Sequence, residues 1–199
     1  MRTAALVLAA LPAVALAQIG NPGFMDPTTR FDEAGMPEPG QNNTTDKLFA
    51  QLAGEGGLAE VALGELAAGK AADPAVGDFA RRMVDDHKAA NGRLAGVADE
   101  SGLPLPDALT PEHAEMRDRL EGLEGVAFDL AYMRGQVVDH QKTVQLLIWE
   151  IGQGQNGDLQ RFASATLPTV LDHLAMARAL VEELARGQFA EVEPAPKPR

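Results

Sequence analysis

Asp73 to Gly102 reads DPAVGDFARRMVDDHKAANGRLAGVADESG, and these letters contain a complete helix with its start and its stop. Asp73 offers a short side-chain acceptor to the first free N–H groups, and Pro74, at the first helical position, gives up only an N–H that has no partner inside the helix. Positions Val76, Ala80, Met83, His87, Ala90, Leu94 and Val97 recur at steps of three and four, which keeps them on one face. Gly102 and Pro104 end the run. A face of this length, roughly 40 Å at 1.5 Å per residue, can be covered only by other helices of similar length.

Such helices are present on both sides. One begins near the capping candidates Thr44 and Thr45 and runs through DKLFAQLAGEGGLAEVALGELAAGKA, weakened at Gly54, Gly56 and Gly57. Thr110-Pro111 repeats the start signal for a short helix ending near Gly122. A long segment runs from about Val126 to Ile151, and a last one from about Leu159 to Arg186 with Pro168 inside it, where a bend is expected. The pattern predicts an all-α protein, a four-helix bundle with one short extra helix. The connection between the second and third long helices can cross the end of the bundle or run along its length, and the letters do not choose.

The termini read differently. Residues 1–17 have a basic start, an apolar run from Ala4 to Leu16 and the small-residue site Ala15-Leu16-Ala17, the form of a signal peptide for export to the periplasm or beyond. The apolar run is too short for a stable anchor, so no transmembrane anchor is expected after cleavage. Residues 18–43, rich in Pro and Gly, read as a disordered leader, and 187–199 as a disordered tail. The bundle domain is therefore expected at 44–186.

Composition narrows the chemistry. The formal net charge is −12 and there is no cysteine. An acidic chain disfavours nucleic acid and anionic membrane surfaces, and the missing thiols exclude disulfides, thiolate metal sites and cysteine nucleophiles. Ser101 and Ser164, the two serines, stand in no Gly-x-Ser-x-Gly turn.

Three of the four histidines share a phrase, Val-x-Asp-His, at Val84–His87, Val137–His140 and Val170–His173. The likeness extends between two copies, FARRMVDDH from Phe79 and YMRGQVVDH from Tyr132, as duplication of a helical hairpin would leave it. His87, His140 and His173 all fall on the buried stripes near the middle of their helices, so side-by-side packing can bring the imidazoles to one level. The Asp before each, Asp86, Asp139 and Asp172, is displaced by about 100° and can reach sideways to a neighbouring helix. There a carboxylate can orient another helix's histidine as a metal ligand's supporting partner. Glu60, beside the stripe of the first helix, supplies the fourth wall, with Glu55 and Glu65 as less well placed alternatives. Buried histidine–carboxylate pairs that merely hold packing register are the structural reading of the same residues.

EVALGELAAGKAADPAVGDFARRMVDDHKAANGRLAGVADESGLPLP, with AFDLAYMRGQVVDH and LPTVLDHLAMARAL later in the chain, resembles the DUF4142 family over about Asp46 to Leu184. The resemblance implies an exported bacterial protein of ferritin-like fold and undefined function. Ferritin-like bundles often carry two irons on paired Glu-x-x-His motifs, but the residues three before the histidines here are Val84, Val137 and Val170. A di-iron centre is therefore not expected. A mononuclear centre of imidazoles with one carboxylate suits zinc, copper or iron, and Met83 and Met176 share faces with His87 and His173. Three readings follow: a non-enzymatic envelope binding or stress-related module, a metal-binding or metal-dependent redox protein, and an interaction protein for an envelope partner.

Overall fold

In the computed structural model the described residues are 41–192, and they form α1 Thr44–Lys70, α2 Pro74–Glu100, α3 Pro111–Glu121, α4 Gly125–Gln153 and α5 Gly157–Val192. The expected signal peptide, nearly all of the expected leader and the end of the expected tail lie outside them. No helix among the described residues is long and apolar enough to cross a membrane.

The caps explain the boundaries. Asp73 caps α2, its side chain accepting from the Ala75 N–H at 2.8 Å. The other end closes with Gly102 at φ +64°, the N–H of Leu103 bonding the Ala98 carbonyl and that of Gly102 the Asp99 carbonyl. This is the left-handed turn in which glycine is favoured because it has no Cβ to clash. The α1 cap is Asn43 rather than Thr44 or Thr45: its side chain accepts from the Asp46 N–H at 2.9 Å while Asp46 accepts from the Asn43 N–H at 2.5 Å. That reciprocal box satisfies two free donors at once, which a single threonine does not. At the far end α5 continues past Arg186 to Val192.

The four long helices form a ring in which α1 packs on α2 and α4, and α5 packs on α4 and α2. Two apolar clusters give the directions. One joins Leu63 and Ala67 of α1 to Phe79 and Met83 of α2, Phe128 and Met133 of α4, and Ala177 and Leu184 of α5. The other joins Phe49, Leu94, Leu147 and Leu159 at the opposite ends of the same helices. Ring neighbours are thus antiparallel, whereas α2 and α4 point the same way. The chain from α2 to α4 must travel the length of the bundle, and it does: Leu103 is buried in the second cluster and Leu120, on α3, in the first, with α3 lying against α1 and α4. One long crossover of this kind is the ferritin-like connection.

α1 and α2 approach closely at Gly64, where an added Cβ would stand 2.9 Å from Val84 Cγ2 and 3.2 Å from the Ala80 carbonyl oxygen. Gly64→Leu is expected to cost about 1–3 kcal/mol by overpacking, seen as a lower urea midpoint at unchanged slope.

Apart from Asp129, which accepts from the Ala72 and Asp73 N–H groups at the α1–α2 turn, two sets of buried polar side chains interrupt the apolar interior. One is a mid-bundle layer between the two clusters, holding Glu60, His87, Gln136, His140 and His173, all buried. The other seals the end where α1 begins and α4 turns into α5. There Asp46 Oδ1 accepts from the N–H groups of Gln155 and Asn156 at 2.9 and 3.0 Å. Asn156 caps α5 through the N–H groups of Asp158 and Leu159 and donates to Ser101 Oγ and Asn42 Oδ1. The adjoining Glu150 is fully buried and neither carboxyl oxygen meets a donor. Its neighbour is the Asp46 carboxyl, already an acceptor for three backbone N–H groups, so the proton between the pair belongs to Glu150. Burial, then the hydrogen bond to Asp46 and its charge, push the Glu150 carboxyl up to about 8.

Candidate metal centre

Three of the four long helices each deliver one imidazole to the mid-bundle layer: His87 from α2, His140 from α4 and His173 from α5. They reach the same level because each lies near the middle of a helix of comparable length and faces the bundle axis on its stripe. Ring centroids are 5.6, 5.7 and 5.4 Å apart. One ring nitrogen from each lies within 4.8 Å of the other two, and no further group of this kind occurs among the described residues.

Hydrogen bonding fixes where the protons sit. His140 Nδ1 lies 3.0 Å from the Gln136 carbonyl oxygen, which can only accept, so Nδ1 carries the proton and Nε2 presents a lone pair. His173 Nε2 lies 2.8 Å from Asp86 Oδ2. Burial pushes the Asp86 carboxyl up, but hydrogen bonds from His173 and Arg82 outweigh it and hold it below the usual carboxylate range. His173 Nε2 therefore keeps its proton and donates it in a hydrogen bond to ionised Asp86, and Nδ1 is left with a lone pair. Those two lone-pair nitrogens, His140 Nε2 and His173 Nδ1, face each other at 3.4 Å. His87 Nε2 is buried beside them with no partner.

Desolvation keeps the rings neutral. Burial lowers His87 to about 4, against the pull of Glu60 and with the neighbouring imidazoles pushing the same way. Burial lowers His140 despite its hydrogen bond to the Gln136 carbonyl, and lowers His173 despite Asp86. Neutral imidazoles are the form that binds metals. Two nitrogens on one tetrahedral ion with bonds of about 2.0–2.1 Å stand about 3.3–3.4 Å apart, the separation that His140 and His173 already have. A cation between them would turn a repulsion of lone pairs into two bonds.

The carboxylates divide. Asp86 crosses from α2 to His173 on the neighbouring α5. Asp139 instead faces α1 and pairs with Lys142 at 3.3 Å, and Asp172 is exposed on the outer flank of α5. The same 100° offset carries all three sideways, yet only Asp86 bonds a histidine: α1, beside Asp139, brings none to this layer, and Asp172 stands exposed although both neighbours of α5 carry one. Glu60 lies behind His140, its Oε1 3.6 Å from Nδ1, on the ring edge away from the converging nitrogens. Gln136 Nε2 donates to Glu60 Oε2 at 2.7 Å, so Glu60 and Gln136 together brace His140. Burial raises the Glu60 carboxyl, which His87 and Gln136 only partly offset. Glu55 bonds Gln51 and Glu65 bonds Lys88, both at the surface. Met83 is fully buried in the core, and Met176 Sδ accepts from Arg82.

Gln136 escapes sequence reading because it is neither charged nor on the stripe. Its signal is position, one turn before His140, where its backbone carbonyl meets the ring and its amide reaches α1.

Residues 32–180 match the family described as Domain of unknown function (DUF4142). The chain belongs to that family. The DUF4142 domain here is also similar to a solved structure, "Crystal structure of DUF305 fragment from Deinococcus radiodurans", with a TM-score of 0.62 and 16% sequence identity, over 75% of this chain and 99% of that one. At that identity the likeness concerns the helical fold alone. No curated protein matches the chain.

Proposed function

We propose that this DUF4142 chain is a non-enzymatic, mononuclear metal-binding protein of the cell envelope that holds one divalent zinc or copper ion on His87, His140 and His173. The observation that carries the reading is the facing pair of lone-pair nitrogens, His140 Nε2 and His173 Nδ1, at 3.4 Å in a buried layer with a third unpartnered imidazole beside them. A group that only held helices in register would place a donor opposite each acceptor. Three imidazoles without thiolate suit zinc and copper(II), and Glu60 and Asp86 supply the negative charge that a buried dication needs. Iron of the two-histidine, one-carboxylate type fits less well, because Glu60 stands on the far edge of His140. The signal-peptide form of residues 1–17 supports placement in the envelope.

Metal-stripped protein is expected to take up Zn²⁺ or Cu²⁺ at 1:1 by elemental analysis. Saturation at a hundredfold over Kd contributes about 2.7 kcal/mol, which for a domain of this size raises Tm by about 5–10 °C. Absence of uptake from either metal would end the proposal.

A further inference from the structure

A cleft of about 820 Å³ opens between α1 and α4 beside the start of α3, with Trp149 on its wall. A second, inner cavity of about 50 Å³ is lined by His87. The two share Leu52, Gly56, Glu60, Thr143 and Leu146 as common wall. Glu60 is thus the carboxylate that belongs to the outer cleft, to the inner cavity and, through His140, to the three-histidine layer. It is 5% exposed. Its Oε2 takes the Gln136 amide, whereas Oε1 meets no donor at hydrogen-bonding distance among the described residues, the proton of His140 Nδ1 being committed to the Gln136 carbonyl.

The outer cleft is negative. Glu55, Glu112 and Asp139 line it together with Glu60, against Lys142, which is itself paired with Asp139. A concave surface of one sign concentrates the opposite ion and raises its rate of arrival. Glycine weakens the middle of a helix, yet at Gly56 nothing lies within 4 Å of where a Cβ would stand. Packing does not demand a glycine there, and its absent side chain leaves the common wall thin.

We propose that this cleft is the port by which a divalent cation reaches the three histidines, with the free Oε1 of Glu60 as the carboxylate oxygen that receives it on the way in. The inference rests on the three-histidine reading and adds the direction of approach. The competing approach is a separate cavity of about 290 Å³ under α3, lined by Gln136 and Gly135, where a Cβ would again meet nothing within 4 Å.

The test follows Cu²⁺ uptake by metal-free protein in a stopped-flow instrument through quenching of the single tryptophan, Trp149, with final stoichiometry from elemental analysis. Gly56→Leu fills the common wall and is expected to slow uptake about tenfold or more at an unchanged 1:1 endpoint. Gly135→Leu is expected to match the wild type. Should Gly56→Leu not fold, Gly56→Ala carries the same comparison with a smaller slowing, since its methyl has free space. Wild-type rates in the Gly56 variants at full stoichiometry, or slowing confined to Gly135→Leu, would overturn the port and leave the three-histidine site standing. A wild type that binds no copper would sink both.

Discussion

Replacing Glu150 by Gln is expected to stabilise the protein at pH 8 by about 2–4 kcal/mol, at 1.36 kcal/mol per unit of pKa displacement, and to leave stability near pH 4 almost unchanged. In the unfolded chain Glu150 ionises near its ordinary 4.5, whereas the folded protein holds the proton up to about 8. Between those values the native state binds a proton that the unfolded state has lost, so stability falls as pH rises. The contribution is complete below about 4.5 and gone once pH has passed about 8. Glutamine keeps a donor for Asp46 at every pH and removes that slope. Urea midpoints at pH 4, 6 and 8 would show it as wild-type and variant curves that diverge upward in pH; parallel curves would mean that Glu150 is ionised in the native protein.

His140→Ala is expected to abolish stoichiometric zinc or copper binding and the accompanying rise in Tm. It removes one of the three proposed ligands and at the same time unseats the Glu60–Gln136 brace. Asp86→Asn separates geometry from charge: the ring nitrogens of His140 and His173 stay in place, but His173 loses its ionised acceptor, and affinity is expected to fall about 10- to 100-fold. Isothermal titration of the metal-free proteins reads both effects. If the histidines served only packing, His140→Ala would change the stability of the metal-free protein and nothing that depends on metal.

Much of this molecule is legible one helix at a time. Asp73-Pro74 and Gly102 mark the ends of α2 because capping and the left-handed turn are local events, settled by a few neighbouring residues. The inward face of His87, His140 and His173 follows from steps of three and four along a rigid helix. Asn43 is missed at the start of α1 because its cap depends on the reciprocal bond from Asp46, whose other oxygen is occupied across the bundle end by Gln155 and Asn156. Glu150 is missed for a related reason: Leu147 is followed at three and four residues by Glu150 and Ile151, and apolar character favours Ile151, while the structure buries Glu150 completely.

The equivalence of the three Val-x-Asp-His phrases is where local reading stops. Identical letters place Asp86, Asp139 and Asp172 at the same angle from their histidines, yet one bonds an imidazole, one a lysine, and one is exposed. What a side chain meets at the flank of a helix is decided by which helix stands beside it, and that depends on the long crossover that makes α2 and α4 parallel. From its letters alone the chain determines helices, caps and an inward row of histidines, because these follow from rotation and rise within one segment. Tertiary packing decides the rest: which nitrogens converge, which carboxylate supports them, that Glu60 stands behind His140, and where a negative cleft adjoins the buried layer. These are relations between segments far apart in the chain, and only the packed bundle brings them to atomic distance.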